Sequence, residues 1–339
     1  YGTKVKTDEY QEMGRNPIID QGQNEIAGYT DRENGLYTEL PVIIFGDHTR
    51  AIKYVDKPFF LGADGTKVLR SKIADANYKY LYYALKNVKI PNTGYNRHFK
   101  WLKETEIEYP EPIKQMEIVE VLDRISKIVD DRKNELCKLD ELIKARFAEL
   151  FGDPVADSKG WGQVPLKQML ESIRYGTSTP PAFAEDGYCF IRATNIKNGR
   201  IVKNDMKYIS QYEADRLEKC KLFGGEVLIV RSGVNAGDTC VITDEYIGQY
   251  AGYDMILVMK DEMNPIFLNE LINTEYMNKV VKPLTRRAAQ PHLNSEQVQS
   301  FPIIKVPKYL QDEFADFVKQ INKSKLLEER QVGFIAKIR

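Results

Sequence analysis

Apolar and polar positions along this chain run through the same order twice. The apolar run and turn VIIFGDH (42–48) return as VLIVRSG (227–233). NYKYLYYALKN (77–87) returns as NPIFLNELINT (264–274), each with Asn first, an aromatic and Leu fourth and fifth, and Leu85 or Ile272 one helical turn on. RHFKWLKETEIEY (97–109) matches PHLNSEQVQSFPI (291–303), pairing His98 with His292, Phe99 with Leu293, Ile107 with Phe301 and Tyr109 with Ile303. QMEIVEVLDRI (115–125) matches QDEFADFVKQI (311–321), and Tyr1-Gly2-Thr3 matches Tyr175-Gly176-Thr177. Order is kept while the offset drifts from 174 to 196, as insertions in loops produce. The pattern predicts two copies of a unit of roughly 150–190 residues, each a mixed α/β globule followed by a long helix. GWGQVPLKQMLESIR (160–174) precedes the second YGT and nothing precedes Tyr1, so the first copy is expected to lack its opening strand or turn.

From Gln115 to Leu150 there is no Pro or Gly, and Ile118, Leu122, Ile125, Val129, Leu136, Leu139, Ile143, Phe147 and Leu150 follow steps of four and three, with Arg132 filling one vacancy. This predicts a coiled-coil seam of about five heptads, roughly 50 Å long at 1.5 Å per residue. Phe151-Gly152-Asp153-Pro154 ends it. A second helix, from about Tyr309 to the chain end, carries Phe314, Val318, Ile321, Val332 and Ile335 on the same spacing, interrupted at Lys325 and Glu328. A helix this long with a single apolar stripe needs a partner. Either each packs on its own globule or, the favoured reading, the two pair antiparallel and relate the globules by an approximate two-fold axis. The predicted fold is α+β: two tandem α/β domains, 1–111 and 153–307, separated and joined by two long antiparallel coiled-coil helices, 112–152 and 308–339.

Composition changes the picture by exclusion. The 339 residues are 42% apolar and 29% charged, which predicts soluble globular domains, and no apolar run reaches membrane-span length, so no membrane partner is expected. Zero formal net charge argues against a coat for nucleic acid, though not against site-specific binding. Cys137, Cys189, Cys220 and Cys240 form no CxxC pair and the three histidines are scattered, so neither a metal site nor a disulfide framework is expected, and free thiols suit the cytoplasm. Two similar globules on a stiff spacer match the geometry of bipartite DNA recognition, since half-sites one turn of B-DNA apart lie ~34–36 Å from each other.

At this point the chain resembles the specificity (S) subunit of type I restriction–modification systems. The resemblance rests on YPEPIKQMEIVEVLDRI (109–125) and FPIIKVPKYLQDEFADFVKQI (301–321), each Pro-punctuated ahead of a long helix, and on LIKARFAELFGDP (142–154) with the restart GWGQVPL (160–166). It implies that the globules are target recognition domains, that the helices bind two modification (methyltransferase) subunits, that a restriction subunit joins the full complex, and that the chain itself has no catalytic centre and no cofactor.

The residues agree with that last implication. Thr179-Pro180-Pro181-Ala182-Phe183 departs at its first and fourth residues from the motif that holds a flipped adenine, Gly65-Thr66-Lys67 lacks the spacing of a phosphate loop, and Asp153, Asp157 and Lys159 read as linker charge. Base readout needs directed donors and acceptors on loops. In the first globule the candidates are Gln21, Gln23, Asn24, Asp47, His48, Arg50, Tyr95, Asn96, Arg97 and Lys100. In the second they are Tyr175, Thr177 and Ser178; Arg192, Asn195, Lys197 and Arg200 in a segment (192–207) with five basic residues and one acidic; Arg231, Ser232 and Asn235; and Lys282, Arg286, Arg287, Gln290 and His292. Two other readings stay open: the recognition part of a fused restriction–methylation enzyme, or a coiled-coil adaptor that binds no DNA.

Overall fold

The computed structural model describes residues 4–62, 64–94, 96–285 and 291–338, the side chains of 332 and 334–338 excepted. Its chain forms two compact units, Tyr1–Asp131 with Ile335–Arg339, and Arg132–Phe334.

The first unit holds β1 (Asn16–Ile19), β2 (Gly28–Thr30), β3 (Val42–Gly46), β4 (Ile52–Val55), β5 (Phe60–Leu61), β6 (Thr66–Leu69), α1 (Tyr78–Lys86), α2 (Phe99–Lys103) and the start of α3 (Pro112–Phe151). One sheet has the order β2-β1-β5, with β1 antiparallel to β2 and parallel to β5; the other, β4-β3-β6, is antiparallel throughout. All five residues of β3 are buried, as an unbroken apolar run in a central strand requires. Asn77 caps α1 by accepting from the Tyr80 N–H. α1 in turn meets α3, where Asp123 accepts from Lys79 at 2.6 Å and from the Tyr83 hydroxyl at 2.6 Å.

In the second unit come β7 (Gln163–Pro165), β8 (Leu170–Tyr175), β9 (Phe183–Ala184), β10 (Tyr188–Ile191), β11 (Ile196–Lys197), β12 (Arg200–Ile201), β13 (Lys207–Ile209), α4 (Gln211–Arg216), β14 (Val227–Ile229), β15 (Thr239–Val241), β16 (Tyr250–Ala251), β17 (Met255–Met259), α5 (Pro265–Ile272), α6 (Lys282–Thr285), α7 (Ser295–Gln299), β18 (Pro302–Ile304) and α8 (Lys308–Ile338). Its main sheets are β16-β10-β13-β9 and β15-β14-β17-β8, beside the two-stranded pairs β11-β12 and β18-β7.

The duplication is topological as well as sequential. β10 pairs antiparallel with β13 and parallel with β16, as β1 does with β2 and β5. β14 lies antiparallel between β15 and β17, as β3 lies between β4 and β6. Asn264 caps α5 as Asn77 caps α1. The recurring glutamine acquires a reason here. Gln115 Nε2 donates to Pro110 O at 2.7 Å and Gln311 Nε2 to Val306 O at 2.8 Å, in each case the carbonyl five residues back. Both glutamines are 2% exposed, so each ties the incoming segment to the first turn of its helix from inside the core.

Along α3 the predicted seam is the covered face. Val129, Ile143 and Phe147 are buried, and Ile118, Leu122, Ile125, Leu136 and Leu139 are half-buried, while Ile113, Met116, Val121 and Ile128 on other faces stay exposed. Gly152 closes the helix in the left-handed conformation (φ 74°), its N–H reaching Ala148 O. Asp153 and Asp157 serve the turn that follows: Asp153 accepts from the Val155 and Ala156 N–H groups, Asp157 from those of Trp161 and Gly162.

Within the second unit α3 and α8 run antiparallel. Phe147 and Phe151 both pack on Phe314, with ring centroids 5.6 and 5.4 Å apart, and farther along the pair Arg146 meets Glu313, Asp140 meets Lys325, and Arg132 meets Glu328 at 3.1 Å. Arg132 and Glu328, which interrupt the two seams, therefore face one another. Lys325 is 1% exposed and ends on Asp140. A matched polar pair in an apolar seam costs stability and fixes register. Phe314 and Val318 are buried and Ile321 half-buried; the side chains of Val332 and Ile335 lie outside the described residues. The four cysteines are free.

Candidate nucleic-acid interface

The two units present loops at equivalent places, chiefly the turn after each central strand. In the first unit the Gly46 N–H donates to Ala51 O and the Arg50 N–H to Gly46 O, each at 2.8 Å. In the second the Val230 N–H donates to Asp238 O and the Gly237 N–H to Val230 O, again at 2.8 Å. A histidine braces each turn. The His98 N–H donates to Asp47 O at 2.7 Å with its Nδ1 3.0 Å from the same oxygen, and His292 Nδ1 lies 2.7 Å from Ser232 Oγ.

Around the first turn, Gln21 is spent on the fold: its amide donates to Asp64 O and accepts from the His48 N–H. Gln23 donates to Thr49 O, and Asn24 is exposed. Arg50 adopts φ 61°, unusual for a side-chain-bearing residue, and reaches Ile90 O at 3.2 Å across a pocket of about 390 Å³ also lined by Gln23, Glu25, Lys53 and Lys86. Lys53 is buried with its Nζ on Asp20 O, and burial holds its pKa below the usual lysine range. Asn96, Arg97 and Lys100 are exposed; Tyr95 lies outside the described residues.

Two expected contacts are corrected by burial. Asp47 is 2% exposed and accepts from the Phe99 N–H at 2.8 Å. Asn195 is fully buried, donating to Val202 O and Asn204 O and accepting from the Arg192 N–H. Neither side chain faces solvent; both hold loops in shape.

The basic segment 192–207 is also less basic than it reads. Arg192 and Lys207 both pair with Asp205, Lys203 pairs with Glu245, and Arg200 pairs with Asp140 of α3 and Glu329 of α8. Only Lys197 of its five cations has no ion pair among the described residues. Arg200 thus clamps the helix pair, a role invisible in sequence because its acidic partners stand 60 and 129 residues away.

In the second unit Arg231, Tyr175 and Tyr253 come together where β8 and β14 end and β17 begins. Arg231 lies over the rings of Tyr175 and Tyr253, its guanidinium carbon 4.9 and 4.7 Å from their centroids. Val234, in the same turn, is 97% exposed. Asn235 reaches Ala193 O at 3.4 Å, Thr177 closes a turn on Thr179, and Ser178 and Lys282 are exposed. Asp254, 2% exposed, accepts from the Arg231 N–H; burial pushes its pKa up to about 7. Tyr253 and Val234 were missed from sequence: Tyr253 matters only because β17 lies beside β14. Arg286, Arg287 and Gln290 lie outside the described residues. Among the described residues no group of three or more His, Cys, Asp and Glu could hold a metal ion, and no helix is long and apolar enough to cross a membrane.

Two repeated α+β units, each offering a braced loop edge, define a duplicated recognition module. The chain belongs to the type I restriction modification DNA specificity domain family, whose profile matches residues 1–138 and again 158–332. It is 31% identical over 198 residues to the type I restriction enzyme EcoR124I/EcoR124II specificity subunit of Escherichia coli; that match takes in 51% of this chain and spans about half (48%) of the relative's length. Its fold is similar to the S subunit of a type I restriction-modification system from M. genitalium (TM-score 0.57, 17% identity, 99% of this chain and 90% of that one). A chain from a study of complex assembly and conformational transition of the type I R-M system is also similar (TM-score 0.50, 16% identity, 99% and 88% covered).

Proposed function

We propose that this chain is the DNA-recognition subunit of a type I restriction–modification complex, reading an interrupted target of two unlike half-sites, one per unit. The observation that carries the reading is the repeated turn: one scaffold, braced by a histidine in each unit, opens its turn with Asp47 in one unit and with Arg231 in the other. A constant frame with unlike tips suits a reader of two different sequences. The exposed candidates, Asn24, Asn96, Arg97 and Lys100 in one unit and Tyr175, Ser178, Lys197 and Lys282 in the other, together with the half-buried Arg231, form the proposed contact set, with Arg286, Arg287 and Gln290 carried from sequence.

In this reading double-stranded DNA is one partner. Two modification subunits and, in the full complex, a restriction subunit are the others, and the helices provide their attachment. The apolar residues left exposed on α3 (Ile113, Met116, Val121 and Ile128) and on α8 (Leu326 and Leu327) support that attachment. The chain acts by positioning, without catalysis or cofactor of its own; His98 and His292 brace turns, which supports such a role. Work in the cytoplasm, beside the DNA, belongs to the same reading.

Selection of bound duplexes from a random-sequence library by the full chain tests it. The expected result is two short, different half-sites separated by an unspecified gap of fixed length. Binding that selects no sequence, or no salt-sensitive binding at all, would return the chain to the adaptor reading.

A further inference from the structure

The arginines of this chain are mostly occupied. Arg32, Arg70, Arg132, Arg146, Arg174, Arg192, Arg200 and Arg216 are all ion-paired. Arg231 differs. Among the described residues its guanidinium has no hydrogen bond and no ion pair, and its Nε is buried without a partner. It is nevertheless held in place: the guanidinium lies over Tyr175 and Tyr253, which are themselves 41% and 44% exposed.

Its backbone is pinned on both sides. The Arg231 N–H donates to the Asp254 carboxyl at 3.4 Å, and Arg231 O accepts from the Leu293 N–H at 2.8 Å. The residue that follows bonds His292, and the Gly233 N–H donates to Pro291 O at 3.1 Å. Asp254 is buried and meets Arg231 through the backbone N–H, and among the described residues it forms no ion pair with the guanidinium.

A half-buried arginine with idle donors, fixed from several sides, is prepared for a planar acceptor pair brought from outside. In duplex DNA the guanine edge offers two acceptors, N7 and O6, side by side in the major groove. Adenine opposes one of the donors with its own amino group, thymine offers a single acceptor and cytosine a donor. A phosphate also accepts a fork, but it places little demand on a rigid setting.

Resting on the DNA-reading function proposed above, we infer that Arg231 reads a guanine in the half-site of the second unit, with Tyr175 and Tyr253 as positioning residues. In the first unit the equivalent position is Asp47, which is buried, so the guanine belongs to one half-site only.

The test takes the full chain and its selected duplex and replaces each guanine in turn by 7-deazaguanine, which lacks the N7 acceptor. One guanine, in one half-site, should prove sensitive, with affinity falling roughly 5- to 150-fold. Arg231→Ala should bind the natural and the 7-deaza duplex alike and select a motif degenerate at that position alone. Arg231→Lys keeps the charge and stem but loses the fork. It should weaken the same preference with an unchanged salt slope, and it carries the test should the alanine variant fail to fold. Three results would overturn the inference: no sensitive guanine, sensitivity that persists undiminished in both variants, or a uniform loss across all sequences with a salt slope smaller by about one, the mark of a phosphate contact. A chain that selects no motif removes the DNA reading itself, an outcome distinct from a motif without a sensitive guanine.

Discussion

After their central strands the two units close the same turn with different equipment. The first spans residues 47–49 between its closing bonds and the second 231–236, three residues more. Each needs a left-handed residue before the chain re-enters the sheet. The second unit supplies Gly237 (φ 99°), where an added Cβ would lie 2.4 Å from Val281. The first uses Arg50 at φ 61°, accepting a strain of about 1–2 kcal/mol, and sends its side chain across a basic pocket. The longer turn carries Arg231 and Val234 outward; the shorter folds Asp47 in. Frame and brace are common property, while the variable part is turn length and tip chemistry. That is the division expected of a scaffold that changes what it reads without changing how it folds.

The helix seams offer the strongest way to test whether the units are equally robust. Phe147 packs on Phe151, Phe267 and Phe314 at the foot of the second unit, and Phe147→Ala should cost about 3–5 kcal/mol in denaturant unfolding. Leu122→Ala, at a half-buried seam position in the first unit, should cost about 1–2 kcal/mol. Equal losses would contradict the view that the aromatic cluster anchors the second unit alone.

A pH series separates the units next. Asp254 binds its proton more tightly folded than unfolded, its pKa raised to about 7 from an ordinary value near 3.8. The contribution of this one group should therefore be fully present below about pH 4 and be lost, on the order of 2–4 kcal/mol, as pH rises through about 7, so it is read as the difference between the natural chain and its Asn variant. Asp254→Asn keeps the acceptor for the Arg231 N–H and should flatten that decline. An unchanged pH slope would mean the carboxyl ionises without penalty.

The paired glutamines sharpen the comparison at a smaller scale. Gln311 accepts from the Asn264 N–H and donates to both Glu262 O and Val306 O, whereas Gln115 donates to Pro110 O alone. Alanine should cost roughly 2–3 kcal/mol at Gln311 and about 1 kcal/mol at Gln115, read from thermal unfolding. Smallest of all, Arg50→Gly should raise the stability of the first unit by up to about 1 kcal/mol while weakening DNA binding. A destabilised Arg50→Gly would mean the guanidinium is a structural strut.

The repeat, the seams and their polar vacancies were legible in sequence because periodicity and order survive substitution. That Arg132 and Lys325 would find Glu328 and Asp140 was not, since a single chain's spacing leaves helix register undetermined. The contact set was legible only in part. Local charge at 192–207 suggested a cationic patch, yet Asp205 within it pairs with both Arg192 and Lys207, and the other neutralising acids come from α3, α8 and the segment bearing Glu245. Asp47 and Asn195 looked like loop polars, and only the tertiary fold turns them inward. The Arg231 setting depends on β14, β17 and β8 lying side by side, which no local pattern encodes.

The independence of the two reading units is tested most directly by genome-wide mapping of modified adenines in cells that express the chain with its modification subunit. Resting on the partners proposed above, the map for the natural chain is compared with that for Arg97→Ala combined with Lys100→Ala in the first unit. The account predicts a relaxed first half-site, with the second half-site and the gap unchanged. Loss of both halves together, or a single continuous motif in the natural chain, would contradict it.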